Sequence, residues 1–600
     1  MSMISKIRRE LRTLKLLGKT KRLLDTLSLH GGDTTVDRIE AQVDRAPNGV
    51  AILFEDRSVT YRELERRANR VAHWANGEGL GRGDVVALLM ENRPEFLFTW
   101  IGLAKTGAEI ALLNTNLSGQ SLAHALAVAG ARAVIVGAEL IDEYATAHDH
   151  ISKPAPVWVL GGGAKGHRRL DDVLASTSEE RPPSAWRTGL TTGDNLFYIY
   201  TSGTTGLPKA ARFSHYRFLQ IGAAYTAIAG ITSDDVIYCT LPLYHTAGGV
   251  IAVAIALLNG ATLALRRKFS ASAFWEDCRT YGATVVHYIG ELCRYLVNRD
   301  PSPDDRDHRV RAAIGNGLRP DIWEHFQQRF GIRDIFEFYG ATEGNFALLN
   351  IDNKAGAVGR VPPYLKRMFP VELVRFDVET ESHPRGPDGF CIRCRPGEVG
   401  EAIGHIPAKE SKVPVGRFEG YTDSSASEKK ILRDVFERGD SYYRTGDLLS
   451  RDREGYYYFV DRIGDTFRWK GENVATSEVA EILSVYDGIK EANVYGVRIP
   501  GADGRAGMAA LVCGDGLDFK GFYRYVDERL PSYARPLFLR IEEEIAITGT
   551  FKHRKVDLVR EGFDITAVSE PLYFRDDASA TFVPIDTELY RRLTAGEISV

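Results

Sequence analysis

Short apolar runs alternate with helical patterns through the first third of the chain. "TVDRIEAQVDRAP", "VTYRELERRANRVAHWANG" and "PEFLFTWIGLAKTGA" repeat apolar residues every three or four positions, whereas "DVVALLM" and "ARAVIVG" are short Val/Ile/Leu runs. The alternation returns in "GATVVHYIG" and "IRDIFEFYG". It predicts an α/β protein whose strands are covered by helices on both faces. From about 371 to 461 strand-like text punctuated by glycine takes over, and beyond 462 a smaller α/β unit follows in "SEVAEILSVYDG", "KEANVYGV" and "GMAALVC".

At 600 residues the chain is too long for one core, so at least two domains are expected. A formal charge of -4 gives no overall drive towards nucleic acid. Six cysteines in this length point to a reducing compartment, and Cys391 and Cys394 form one C-x-x-C with no second pair to complete a zinc site. The apolar stretch at 248–265 is broken by glycine and asparagine and reads as core, so no membrane-spanning helix is expected. No signal-peptide pattern precedes it either, and the expected place is the cytoplasm.

The first 27 residues depart from this balance. They carry Lys6, Arg8, Arg9, Arg12, Lys15, Lys19, Lys21 and Arg22 against Glu10 and Asp25, a net +6. Ile4, Ile7, Leu11, Leu14, Leu17 and Leu24 recur at helical spacing. Such a helix can lie in an anionic membrane interface, or pack on the body with its charged face in water. Both readings stand at this point.

The stretch "YIYTSGTTGLPKAARFSH" raises the first chemical question. A short apolar strand, "NLFYIY", leads into Thr201, Ser202, Gly203, Thr204, Thr205, Gly206, Leu207, Pro208 and Lys209, and "FSHYRFLQIGAAYTAIAGI" reads as the helix that follows. Glycines let the backbone approach an anion, hydroxyls donate to it and lysine adds a point charge. The loop therefore reads as a phosphate cradle between a strand and a helix. It is not a Walker A loop, since Pro208 precedes Lys209 and Ala210 follows it.

Three further tracts supply partners. "FEFYGATEGN" sets Tyr339, Gly340, Thr342 and Glu343 at the end of a strand-like run, an aromatic able to stack on a base and a carboxylate able to hold Mg²⁺. "YYRTGDLLSRDREGYYYFVDRIGD" contains Asp447, suited to accept both ribose hydroxyls, and Arg462 to brace it. "ITGTFKHRKVDL" presents Lys552 on a Gly-Thr turn. Singly, each is also compatible with a strand end or a surface lysine.

In this order the four tracts resemble the adenylate-forming acyl-CoA synthetases, from about residue 35 to 570. "VDRIGDTFRWKGENVATSEV" and "EPLYFRDDASATFVPIDTELYRR" are similar to the fatty acid transport protein, or very-long-chain acyl-CoA synthetase, branch. The loop departs from most of the superfamily at "PKAARFSH", "GNGLRP" (315–320) stands at the adenine-binding strand, and Asp461 stands where many relatives have glycine.

The resemblance implies a large N-terminal domain of two layered α/β sheets plus a β-rich subdomain, residues 31–462, after a basic segment at 1–30. A small mobile α+β C-terminal domain, 463–600, is implied with its hinge near Gly464. It implies an AMP-forming long-chain fatty acid–CoA ligase using ATP, Mg²⁺ and coenzyme A. Its loop would hold phosphate, Thr204 and Glu343 the metal, and Gly317, Tyr339, Gly340, Thr342, Asp447 and Arg462 the rest of the nucleotide, with Lys552 neutralising charge in the adenylating step. His245 and Tyr288 are implied beside the acyl group, and Gly471, Glu472 and Asn473 near the CoA channel. A carrier-loading acyl-AMP ligase, a ligase for another apolar carboxylate such as a steroid side chain, and a lipid importer remain alternatives. Contact with the inner face of an anionic membrane through residues 1–27 and a homodimer are open partners; nucleic acid is not expected.

Overall fold

In the computed structural model the described residues are 3–202, 207–407, 417–500, 502, 504–514, 516–545 and 555–598. Gly203, Thr204, Thr205, Gly206 and Lys552 lie outside them. The chain divides into two compact units, Met1–Arg360 with Pro407–Ile431, and Val361–Ile406 with Leu432–Val600. The β-rich tract thus clusters with the C-terminal residues, and both sides of Gly464 fall in the second unit.

The first unit opens with helix α1 (Met3–Leu24) and holds two sheets. One has seven strands and ends in β1 (Asn195–Ser202) and β2 (Pro208–Ser214), with every pairing parallel except β1 with β2. Here the expectation of a strand–loop–helix is corrected: the loop joins two antiparallel strands, in register from Thr201 with Lys209 to Phe197 with Phe213. Ala210, Ala211 and Phe213 are buried, so the small residues after Lys209 serve a sheet before the helix starts. That helix, α2 (His215–Ala229), is capped by Ser214, whose hydroxyl accepts from the Arg217 amide.

The second sheet has eight strands, antiparallel at both edges and parallel between. Its neighbours β3 (Val285–Ile289), β4 (Ala312–Asn316) and β5 (Asp334–Gly340) carry the tracts singled out in the sequence. Both central sheets read as near-continuous apolar runs because helices cover them, as parallel strands require. One covering helix, Pro94–Lys105, is buried almost throughout, and its terminal Lys105 ammonium is satisfied by Glu40 at 2.6 Å and Glu65 at 3.4 Å. The expected core at 248–265 is buried as a π-helix, Thr246–Ala252, running into a short helix and an inner strand.

In the second unit an antiparallel sheet runs through Val371–Val374, Val399–His405, β6 (Ser441–Arg451) and β7 (Tyr456–Arg462). After it comes a hairpin of β8 (Phe467–Trp469) and β9 (Glu472–Val474), then helix α3 (Thr476–Ser484). A five-stranded sheet completes the unit, with Val479, Leu483, Phe522, Val526 and Phe538 in its core. Cys391 and Cys394 are free, buried thiols, and burial pushes Cys394 up to about 11. Among the described residues no cluster of metal-ligating side chains occurs.

Candidate active site

Strand pairing brings Thr201 and Lys209, at the two ends of the loop, and the Glu343 tract to one place in the first unit. Tyr421 forms an antiparallel bridge with Ala211, and the Arg212 amide donates to the Gly420 carbonyl at 3.0 Å. From there the Tyr421 hydroxyl donates to Glu343 Oε1 at 2.6 Å and reaches the Thr201 side chain. The Lys209 ammonium lies 5.9 Å from the centre of the Tyr421 ring, and Lys430 Nζ lies 3.9 Å from Glu343 Oε1. Burial, then the facing Glu343 charge, raises the Tyr421 phenol well above its ordinary value, so it stays a donor.

Two more contacts fix the surroundings. Arg217, in the first turn of α2, donates to the Ala341 carbonyl at 3.0 Å, and the hydroxyls of Thr342 and Thr246 meet at 3.0 Å. Thr246 follows His245, so the "LPLYHTAGG" segment sits against the Glu343 tract. Asn92, itself buried, holds that segment through the Leu241 carbonyl and the Leu243 amide. Tyr339 ends β5 half-buried with its ring 6.2 Å from Phe346, and Gly340 pairs with Ala347.

The "GNGLRP" tract is held from below by a buried carboxyl. Glu337, on β5, accepts from the amides of Gly317 and Leu318, and the Tyr288 hydroxyl donates to its Oε2 at 2.5 Å. Burial outweighs these donors and pushes the Glu337 carboxyl up to about 8. Gly317 turns here at φ +80°, and its carbonyl passes so near Gly290 that a methyl there would lie 1.6 Å away. Tyr288, expected beside the acyl group, therefore also supports the 315–318 backbone.

The second unit brings its own expected residues together. Asp447 and Arg462 face each other in the β6–β7 register, with Nε and Oδ1 4.0 Å apart. Gly464 lies in the turn after β7, where an added Cβ would meet nothing within 4 Å. Asp461 is buried and accepts from the Thr476 amide at 2.6 Å and from the hydroxyls of Thr476 and Thr466. This departure from glycine ties the strand before the turn to the start of α3. Lys555 joins the same group, donating to the Thr476 hydroxyl at 2.7 Å and pairing with Asp465 at 3.3 Å. Glu472 and Asn473 are exposed on β9, next to a turn in which Lys470 and Gly471 both have positive φ.

A model of the AMP-binding enzyme family matches residues 39–389. The chain is 44% identical to long-chain fatty acid transport protein 2 of Rattus norvegicus over 566 residues, 92% of this chain and 89% of the relative. It is 44% identical to long-chain fatty acid transport protein 1 of Homo sapiens over 94% of this chain and 88% of that one. The chain belongs to the AMP-binding enzymes, in the long-chain fatty acid transport protein branch. Solved structures agree on the fold of this family member. An anthranilate CoA ligase in complex with anthranoyl-AMP matches 91% of the chain and all of its own at a TM-score of 0.76 and 20% identity. ATP-bound MatB from Rhodopseudomonas palustris matches 88% of the chain and 99% of its own at 0.72 and 23%. The expectation of an AMP-forming acyl-CoA ligase stands with the family.

Tyr421, Lys430 and Glu337 escaped the sequence reading. Nothing in the spacing of "FEGYTD" marks Tyr421, and only its bridge to Ala211 carries it to Glu343.

Two outcomes follow from these contacts. Tyr421→Phe removes the hydroxyl that orients Glu343 and should lower the rate of acyl-AMP formation about tenfold, with a higher Mg²⁺ requirement and a chain that still folds, its melting temperature lowered by a few degrees. A rate and Mg²⁺ dependence equal to the parent's would make the contact incidental. Glu337 binds a proton in the folded chain up to about pH 8 but ionises near 4.5 when unfolded. Its contribution to stability is thus full below about pH 4.5 and lost as pH rises through about 8. Glu337→Gln should flatten the fall in melting temperature across that window; an unaltered profile would contradict the neutral carboxyl.

Proposed function

We propose that the enzyme joins long- or very-long-chain fatty acids to coenzyme A through an acyl-AMP intermediate. The observation that carries this reading is the meeting of Thr201, at the head of the glycine-hydroxyl tract, with Glu343 through Tyr421. A carboxylate is a poor electrophile, so an oxygen of the acid attacks the α-phosphorus of ATP and the bond to pyrophosphate breaks. The CoA sulfur, giving up its proton, then attacks the acyl carbon of the mixed anhydride and AMP leaves. The first step demands positioning and charge balance more than covalent help.

In this proposal Thr201, Ser202, Gly203, Thr205, Gly206 and Lys209 hold the β- and γ-phosphates, with Tyr339 stacked on the base beside Gly317, Gly340 and Thr342. Asp447 accepts the ribose hydroxyls and Arg462 braces it. Mg²⁺ entering with ATP would neutralise phosphate charge, held by Glu343 and Thr204. Lys552 balances the carboxylate and α-phosphate oxygens. The part of the chain beyond 462 turns about Gly464 between the two steps, bringing Gly471, Glu472 and Asn473 to the CoA channel. His245 and Tyr288 lie along the acyl path. Uptake of fatty acid follows as trapping, because the CoA thioester is charged and bulky. No helix among the described residues is long and apolar enough to cross a membrane.

Purified full-length protein given ATP, Mg²⁺, coenzyme A and acids of medium to very long chain should release AMP and acyl-CoA together, fastest with the longer acids. Lys552→Ala should lower acyl-AMP formation by about a hundredfold or more while largely sparing thioester formation from pre-made acyl-AMP. Release of free acyl-AMP without thioester would favour carrier loading instead. Absence of AMP with every acid would overturn the ligase reading.

A further inference from the structure

Helix α1 packs on the first unit with the opposite face from the one its hydrophobicity suggests. Thr13 and the Arg9 side chain are turned inward and buried, and Arg360 reaches up to hold Glu10 at 2.6 Å. Arg12 pairs with Asp334 at 3.2 Å. Contacts with α2 complete the seat. The apolar stripe is left outward: Ile4 is 65% exposed, Ile7 52%, Leu11 61% and Leu14 48%.

At about 100° per residue these four positions fall within an arc of about 80°. Arg8, Lys15 and Lys19 follow along one edge of that arc and are exposed, with Arg12 between them turned to Asp334. An apolar strip bordered by a basic row is costly in water unless something covers it. We propose that this face of α1 docks on an anionic lipid bilayer, the stripe entering the headgroup boundary and the basic row meeting lipid phosphates.

Charge complementarity selects this occupant. A second copy of the chain seated stripe to stripe would cover the apolar positions but bring a second basic row and no opposite charge. A nucleic acid would satisfy the basic row and leave the stripe wet. An anionic interface satisfies both at once, and the helix need only lie in its plane. Because α1 is anchored to the body through Glu10 and Arg12, docking would hold the whole first unit at the surface into which a long-chain acid partitions.

The test is flotation of the full chain with vesicles of phosphatidylcholine alone and with about a third phosphatidylglycerol. Two variants are compared, Ile7→Ser with Leu11→Ser, and Lys15→Glu with Lys19→Glu. The parent should float with the anionic vesicles about tenfold more than with the neutral ones, less so at high salt, and each variant should lose about tenfold. Melting temperature, sedimentation and turnover of a water-soluble medium-chain acid should stay as in the parent, since none of these residues is part of the seat or the site. Equal flotation of parent and variants overturns the proposal. So does a change from dimer to monomer in the apolar variant without loss of lipid binding, which would assign the stripe to a second copy. Flotation is read without turnover, so an inactive parent would contradict the ligase reading and leave this result to stand or fall by itself.

Discussion

The hydrogen bond from Tyr421 to Glu343 joins residues 78 apart in sequence, and the candidate site is organised about it. Glu343 is buried, so its carboxyl needs a donor from within the fold. The Tyr421 phenol supplies it, because it donates to Glu343 Oε1 and is itself held too high to ionise. Lys430 lies 3.9 Å from the same carboxyl, and Lys209 5.9 Å from the centre of the Tyr421 ring. The same tyrosine reaches Thr201, so the strand end before the loop and the Glu343 carboxyl are tied to one side chain.

Close packing does the corresponding work beneath "GNGLRP". A methyl on Gly290 would meet the Gly317 carbonyl, and one on Gly315 would meet the Tyr288 carbonyl at 2.2 Å. The strands are drawn together until Glu337 can reach two successive amides and a phenol, at the cost of holding its proton. In the second unit the added carboxylate, Asp461, is again buried but fully engaged by Thr476 and Thr466, which fixes the backbone on both sides of the Gly464 turn. In each case a buried acid acts as a fastener for backbone that other residues use.

Much of this was legible because the decisive residues are contiguous. The loop, the Tyr339–Glu343 tract and the Asp447–Arg462 stretch each declare their chemistry within a few residues, and strand alternation with helices announced the α/β class. What escaped depends on long reach. Tyr421 is reached only through strand pairing. The strand after Lys209 was hidden by Ala210 and Ala211, whose small side chains suit a helix as well as a buried sheet. Amphipathicity revealed that the faces of α1 differ but not which of them meets the body, since ion pairs to Arg360 and Asp334 decided that. The clustering of 361–406 with the C-terminal residues likewise follows from contacts between distant segments.

In the proposed reaction AMP is transferred reversibly to a fatty acid before coenzyme A takes part. Exchange of labelled pyrophosphate into ATP measures that step alone. Exchange should require a long-chain acid and Mg²⁺ and proceed without coenzyme A. Exchange that appears only when coenzyme A is added, or thioester formation with no exchange at all, would contradict it.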